Sequence, residues 1–127
     1  VSERVHCMKA CAELAGDIAT SVTGELSHEE REERMSLITS GKKKILFGTQ
    51  AIFSEGISLN SLSCLILGTP INNEPLLTQL IGRVIRKEEN KKDPVIIDIH
   101  LKGNTARRQA STRMGHYMKQ GYQIKQL

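Results

Sequence analysis

Tryptophan is absent from the 127 residues, and the aromatic complement is two Phe and two Tyr. So few rings exclude recognition dominated by base stacking, which needs a platform of several aromatic side chains. Phe47 and Phe53 are expected in the core, and Tyr117 and Tyr122 near the surface of the C-terminal segment. No stretch approaches the roughly 18 uninterrupted apolar residues of a membrane-spanning helix. The N-terminus also lacks the basic-then-apolar pattern of a secretory signal. No membrane partner is expected, and the chain reads as soluble and intracellular. The three cysteines, Cys7, Cys11 and Cys64, have neither the even number of a disulfide framework nor the paired spacing of a zinc site. Cys7 and Cys11 share a helix face with His6 nearby, but small buried hydrophobes are the expected reading and no metal ligand set is assigned.

Two phosphate-binding signatures are missing as well. No Gly-x-x-x-x-Gly-Lys-Ser/Thr segment cradles a triphosphate, and no Asp-Glu pair closes a strand to hold magnesium. The Gly-x-Gly-x-x-Gly turn of dinucleotide enzymes is also lacking, which disfavours an oxidoreductase-like reading.

What is present suits one α/β domain over residues 1–127. With 39% apolar residues the chain can build a single core. Helical apolar spacing begins almost at once with Val5, Met8, Ala12, Leu14 and Ala15, so a first strand is expected upstream and the chain is read as a fragment of a larger protein. Ile18 to Val22 leans towards a strand. Ser27 and Glu30 have the spacing of a capping box ahead of a helix from His28 to Ser40, which Gly41 ends. Three short apolar runs follow, at 44–48, 64–68 and 95–99, with helical patterns at 74–86 and 105–120 between or after them. Strands alternating with helices predict a mostly parallel sheet with helices on both faces. Their continuous apolarity predicts strands buried on both sides.

Charge is divided along the chain. The net charge is +4, yet 25–34 is mainly acidic, whereas 102–127 carries six Lys or Arg and no acid. That polarity fits a polyanion approached from one side, with a merely solvated basic helix as the alternative.

The sharpest constellation is Gln79, Gly82, Arg83 and Arg86. These lie at i, i+3, i+4 and i+7, so they line one face of the 74–86 helix, while Leu80, Ile81, Val84 and Ile85 cover the other. Gly82 costs roughly 1 kcal/mol relative to Ala in a helix interior, which calls for something in close approach. Two guanidiniums one turn apart beside an amide form a donor array for phosphate oxygens.

Gln79-x-x-Gly82-Arg83-x-x-Arg86 resembles motif VI of superfamily 2 helicases. Gly48-Thr49 through Gly56-Ile57-Ser58 resembles motif V, Thr23-Gly24 the motif IVa region, and Ser2-Glu3-Arg4 the end of motif IV. Order and spacing agree over nearly the whole chain, and the Phe53-Ser54-Glu55-Gly56-Ile57-Ser58 segment is most similar to the phage UvsW and large-DNA-virus helicase group. The resemblance implies the second, C-terminal RecA-like domain of an ATP-dependent helicase or translocase, a three-layer α/β fold. It further implies Arg86 as arginine finger, Arg83 as a second γ-phosphate contact and Gln79 as their helper. Gly56 and Ser58 would approach the nucleotide and its ribose, and Ser2, Thr23, Gly24 and Thr49 would hold the phosphate backbone of a nucleic acid, with DNA favoured over RNA. Where most of the superfamily carries Asp, this chain has Ser58, a weaker ribose partner. ATP and Mg2+ would be held mainly by the N-terminal RecA-like domain of the same polypeptide, so this chain alone is expected to be inactive. If the source is viral, the host cytoplasm or a replication site is the expected location. A catalytically silent helicase-like binding or scaffold module is the alternative. Asp98 is expected to have a structural partner in Arg107 or Arg108.

Overall fold

The structure is a computed structural model, and it describes residues 5–54, 62–68, 71, 73–84 and 92–127. Helix α1 (Val5–Ala15) runs into a 3-10 turn (Gly16–Ile18) and strand β1 (Ala19–Val22). Then come α2 (His28–Thr39), β2 (Ile45–Gly48), the short α3 (Gln50–Ser54), β3 (Cys64–Leu67), α4 (Glu74–Val84), β4 (Val95–Asp98) and α5 (Asn104–Lys119).

Each strand pair is parallel, as the helical crossovers require. β1 pairs with β2 in the register Ala19 to Ile45 through Val22 to Gly48, and β3 pairs with β4 from Cys64 to Val95 through Leu67 to Asp98. Among the described residues these are two separate two-stranded ladders.

Local chemistry accounts for the element boundaries. The Ser27 hydroxyl accepts from the Glu30 amide while the Glu30 carboxylate accepts from the Ser27 amide, the reciprocal box that satisfies two first-turn donors of α2. At its other end the chain turns through Gly41 at φ 80°, a left-handed conformation that glycine adopts without penalty. Gly48 closes β2 for a different reason: a Cβ there would lie 2.6 Å from the Phe53 ring of α3.

The core gathers where α4 and α5 meet β3, around Phe53, Leu65, Leu67, Leu77, Leu80, Ile81 and Tyr117. β1 is buried at both parities, and α1 and α2 both pack on it. The Arg34 guanidinium of α2 ties the two elements by donating to the Ser21 carbonyl oxygen at 2.7 Å. No helix among the described residues is long and apolar enough to cross a membrane.

Several sequence expectations need correction. β3 and β4 are covered on one face alone: Leu65 and Leu67 point into the core, whereas Ile66 is 48% and Val95 50% exposed, with Ile97 and Cys64 on the same open side. Continuous apolarity therefore overstated burial here. Leu14 is 88% exposed because the inward stripe of α1 centres on Met8 instead. Cys7 and Cys64 are exposed and Cys11 half-buried, so they are not core hydrophobes. Burial, followed by the Cys7 hydrogen bond, pushes the Cys11 thiol up. Among the described residues no cluster of three or more His, Cys, Asp or Glu could hold a metal. Tyr117 is buried rather than superficial, and Tyr122 packs half-buried against it with ring centroids 6.4 Å apart.

Candidate nucleotide and nucleic-acid interface

The sequence-predicted residues fall on two parts of the fold. Thr23 directly follows β1 and Thr49 directly follows β2. Because Val22 lies opposite Gly48, the two threonines sit side by side at the carboxyl end of the ladder. Adjacent strands are about 4.8 Å apart, so the register brings two hydroxyls and their backbone amides together. In parallel α/β sheets this is the edge at which ligands bind.

Both threonines are buried, Thr23 to 1% exposure, and the Thr23 hydroxyl has no hydrogen-bond partner among the described residues. An orphaned buried hydroxyl is unfavourable by about 1–3 kcal/mol, so it is an exception that needs a reason. Gly24, next in the chain, is exposed, and a Cβ on it would meet nothing within 4 Å.

The second part is α4. Its amphipathicity agrees with the periodicity: Leu77, Leu80 and Ile81 are buried, whereas Gln79 and Gly82 are exposed and Arg83 is half-buried. A Cβ on Gly82 would likewise meet nothing within 4 Å. The close approach expected at this glycine is therefore not made by the described residues of this chain. Arg86, Gly56, Ser58 and Ser2 lie outside the described residues.

At the carboxyl end of the other ladder the Asp98 carboxylate is fully engaged, although Arg113 Nη1 is buried with no partner among the described residues. Asp98 ends β4, and its carboxylate accepts from Arg113 Nε at 2.8 Å, from Arg113 Nη2 at 2.9 Å and from the Tyr117 hydroxyl at 2.7 Å. Arg113, 3% exposed, is the partner, rather than Arg107 or Arg108, which are both exposed. Burial pushes Asp98 up, but the hydrogen bonds from Arg113 and Tyr117 and the nearby guanidinium charge outweigh it and hold the carboxyl below its ordinary value. Burial and donation to Asp98 push the Tyr117 phenol well up. Sequence spacing could have found this pair. Ala106, Ala110, Arg113 and Tyr117 recur at i, i+4, i+7 and i+11, which is the inward stripe of α5. His116 joins α5 to α4, with Nδ1 3.3 Å from Glu74 Oε1 and Nε2 3.5 Å from Thr78 Oγ1.

Comparison with known proteins agrees with this arrangement. The family described as "Helicase conserved C-terminal domain" matches residues 2–88, and the chain belongs to that family. Its fold is the RecA-like α/β fold of helicase C-terminal domains. The chain is similar to the probable helicase D10 of Escherichia phage T5, with 42% identity over 96% of this chain and 28% of the relative. It is also similar to the ATP-dependent DNA helicase uvsW of Enterobacteria phage T4, with 29% identity over 72% of this chain and 18% of the relative. The chain thus spans less than a third of either. Among solved structures, the C-terminal domain of the DEAD-box protein Dbp5 superposes with a TM-score of 0.67 at 18% identity, over 88% of this chain and 63% of that one. A DEAD box protein from Methanococcus jannaschii superposes with a TM-score of 0.69 at 26% identity, over 98% of this chain and 33% of that one.

Proposed function

We propose that this chain is the second motor domain of an ATP-dependent nucleic-acid helicase or translocase, acting on DNA in preference to RNA. In this reading α4 faces a nucleotide held by a separate N-terminal RecA-like domain of the same polypeptide. The observation that carries it is the exposed Gln79 and Gly82 with half-buried Arg83 beside them on α4, and open space over the glycine, in a chain of helicase C-terminal type.

The donor set suits a triphosphate. Arg83 and Arg86 supply planar, permanently charged forks for γ-phosphate oxygens, and Gln79 adds a neutral amide beside them. An ATP phosphate group, when bound, supplies the transferable phosphoryl, whose developing charge an arginine finger stabilises by a rate factor of about 10³–10⁵. Gly56 and Ser58 are assigned to the nucleotide and its ribose. Mg2+ is assigned to the other domain, since the described residues hold no carboxylate cluster for it.

Thr23, Gly24, Thr49 and Ser2 are assigned to the phosphate backbone. Hydroxyls and amides grip phosphate without reading bases, which suits a motor moving along any sequence. The orphan hydroxyl of Thr23 supports this assignment, because an incoming acceptor would supply the partner it lacks once the edge opens.

The test is nucleic-acid-stimulated ATPase of the full-length protein. Arg86→Ala and Arg83→Ala should each lower kcat by a factor of about 10³ or more, with KM for ATP changed far less. Gly82→Ala should lower kcat while raising the melting temperature, since alanine is the better helix former by about 1 kcal/mol. The 127-residue chain alone should show background turnover. Undiminished ATPase in Arg86→Ala would instead favour a silent scaffold module.

A further inference from the structure

Beyond residue 88 the family match ends, yet α5 and the segment after it hold a surface that the motor assignment does not use. From Ile99 to Leu127 there is no acid, whereas Lys102, Arg107, Arg108, Arg113, Lys119 and Lys125 all occur. Arg113 alone is taken up inside the fold, by Asp98. Arg107, Arg108 and Lys119 are exposed and make no ion pair with any described residue.

Helical geometry puts Arg108, Ser111, Thr112, Gly115 and Lys119 on one outward face, opposite the buried stripe of Ala110, Arg113 and Tyr117. Arg108 and Lys119 are separated by about 16 Å along the helix axis, far enough apart to meet different phosphates of one strand. Between them stand two hydroxyls and a glycine, which present donors and no bulk. A Cβ on Gly115 would meet nothing within 4 Å, so no neighbour among the described residues calls for a glycine in the middle of this 16-residue helix. Glycine there weakens the helix, and what it offers in return is close approach by an outside backbone. Glu74 of α4 is the acid that faces α5, and His116 engages it.

We propose that this face of α5 is a second nucleic-acid contact, gripping phosphodiester backbone outside the track formed by Thr23 and Thr49. The inference rests on the helicase reading, and its occupant follows from charge complementarity: cations and neutral donors on a helix that carries no acid, with the facing Glu74 engaged by His116. Sequence-indifferent binding follows, because contacts to the phosphate backbone carry no base identity.

The test uses full-length protein with a labelled duplex of arbitrary sequence, titrated across a series of salt concentrations. The double variant Arg108→Gln, Lys119→Gln should make log Kobs against log salt shallower by about 1.8, the release expected for two lost duplex contacts. Its melting temperature should be unchanged. Lys42→Gln, an exposed charge at the amino end of β2, should leave the slope as it is. Gly115→Ala should bind more weakly although it melts higher, a combination that a structural role would not give. A wild-type slope in the double variant, or undiminished affinity in Gly115→Ala, overturns the inference. If Thr49→Ala weakens binding while the α5 variants do not, this inference alone fails. If the wild-type protein binds no nucleic acid, the helicase reading fails with it.

Discussion

The carboxyl ends of the two ladders are built from the same ingredients and finished in opposite ways. After β4, every strong polar group of Asp98 is engaged, by three hydrogen bonds from α5. After β1, the Thr23 hydroxyl is more deeply buried and has no partner among the described residues. One end fastens a helix to a sheet through a fully engaged carboxylate, with Arg113 Nη1 left over; the other leaves its hydroxyl idle at the edge where such sheets bind ligands. Burial of a polar residue thus does not by itself separate structure from function.

The largest effect that tests this contrast is expected from Arg113→Ala. It strands the Asp98 carboxylate beside the core and should destabilise the domain by about 3–5 kcal/mol, read as a lower denaturation midpoint. Substituting both partners by apolar residues of similar size should recover much of that loss, which would show that the pair positions α5 more than it stabilises the fold.

Tyr117→Phe should be milder, about 1.5–3 kcal/mol, because it removes one hydrogen bond to a charged acceptor and keeps the ring. Acid should reproduce part of the Arg113 effect. The folded pKa of Asp98 is depressed, so its contribution is fully present above the unfolded value of about 3.9 and is lost as pH falls through the lower folded value. Chemical denaturation at pH 7 and in the acid range should show wild type losing more stability than the Asp98→Asn variant.

The smallest effect, and the one of opposite sign, belongs to the open end. Thr23→Val keeps the shape and removes the orphan hydroxyl, and should be neutral or stabilising by about 1 kcal/mol in thermal melts. The same variant should weaken nucleic-acid-stimulated ATPase. A loss of stability comparable to Tyr117→Phe would mean that Thr23 is as structural as Asp98, and the contrast would vanish.

Much of the architecture was legible because short-range chemistry marks it. Ser27, Glu30 and Gly41 bracket α2 through capping and a left-handed turn, and apolar runs between helical patterns located all four strands. Periodicity also sorted α4 correctly into buried leucines and an exposed Gln79–Gly82 face. Cover was harder to read. Ile66, Val95 and Ile97 look like strand residues enclosed on both sides, but whether a second layer reaches them depends on tertiary placement that a four-residue run does not encode. The choice among Arg107, Arg108 and Arg113 for Asp98 failed similarly, since charge and proximity along the chain were weighed while the phase of α5 was not. Nothing in the sequence marks the Thr23 hydroxyl as unpartnered; that depends on the tertiary packing around it.

Charge distribution has a kinetic corollary. The acidic first turns of α2 sit on the β1–β2 ladder, while the acid-free α5 is fastened to β4, so the two ladders carry helices of opposite electrostatic sign. A molecule polarised in this way is turned by the field of a polyanion before they touch, and it meets the polymer preferentially through one side. Productive encounters then become more frequent without any gain in how long the complex lasts.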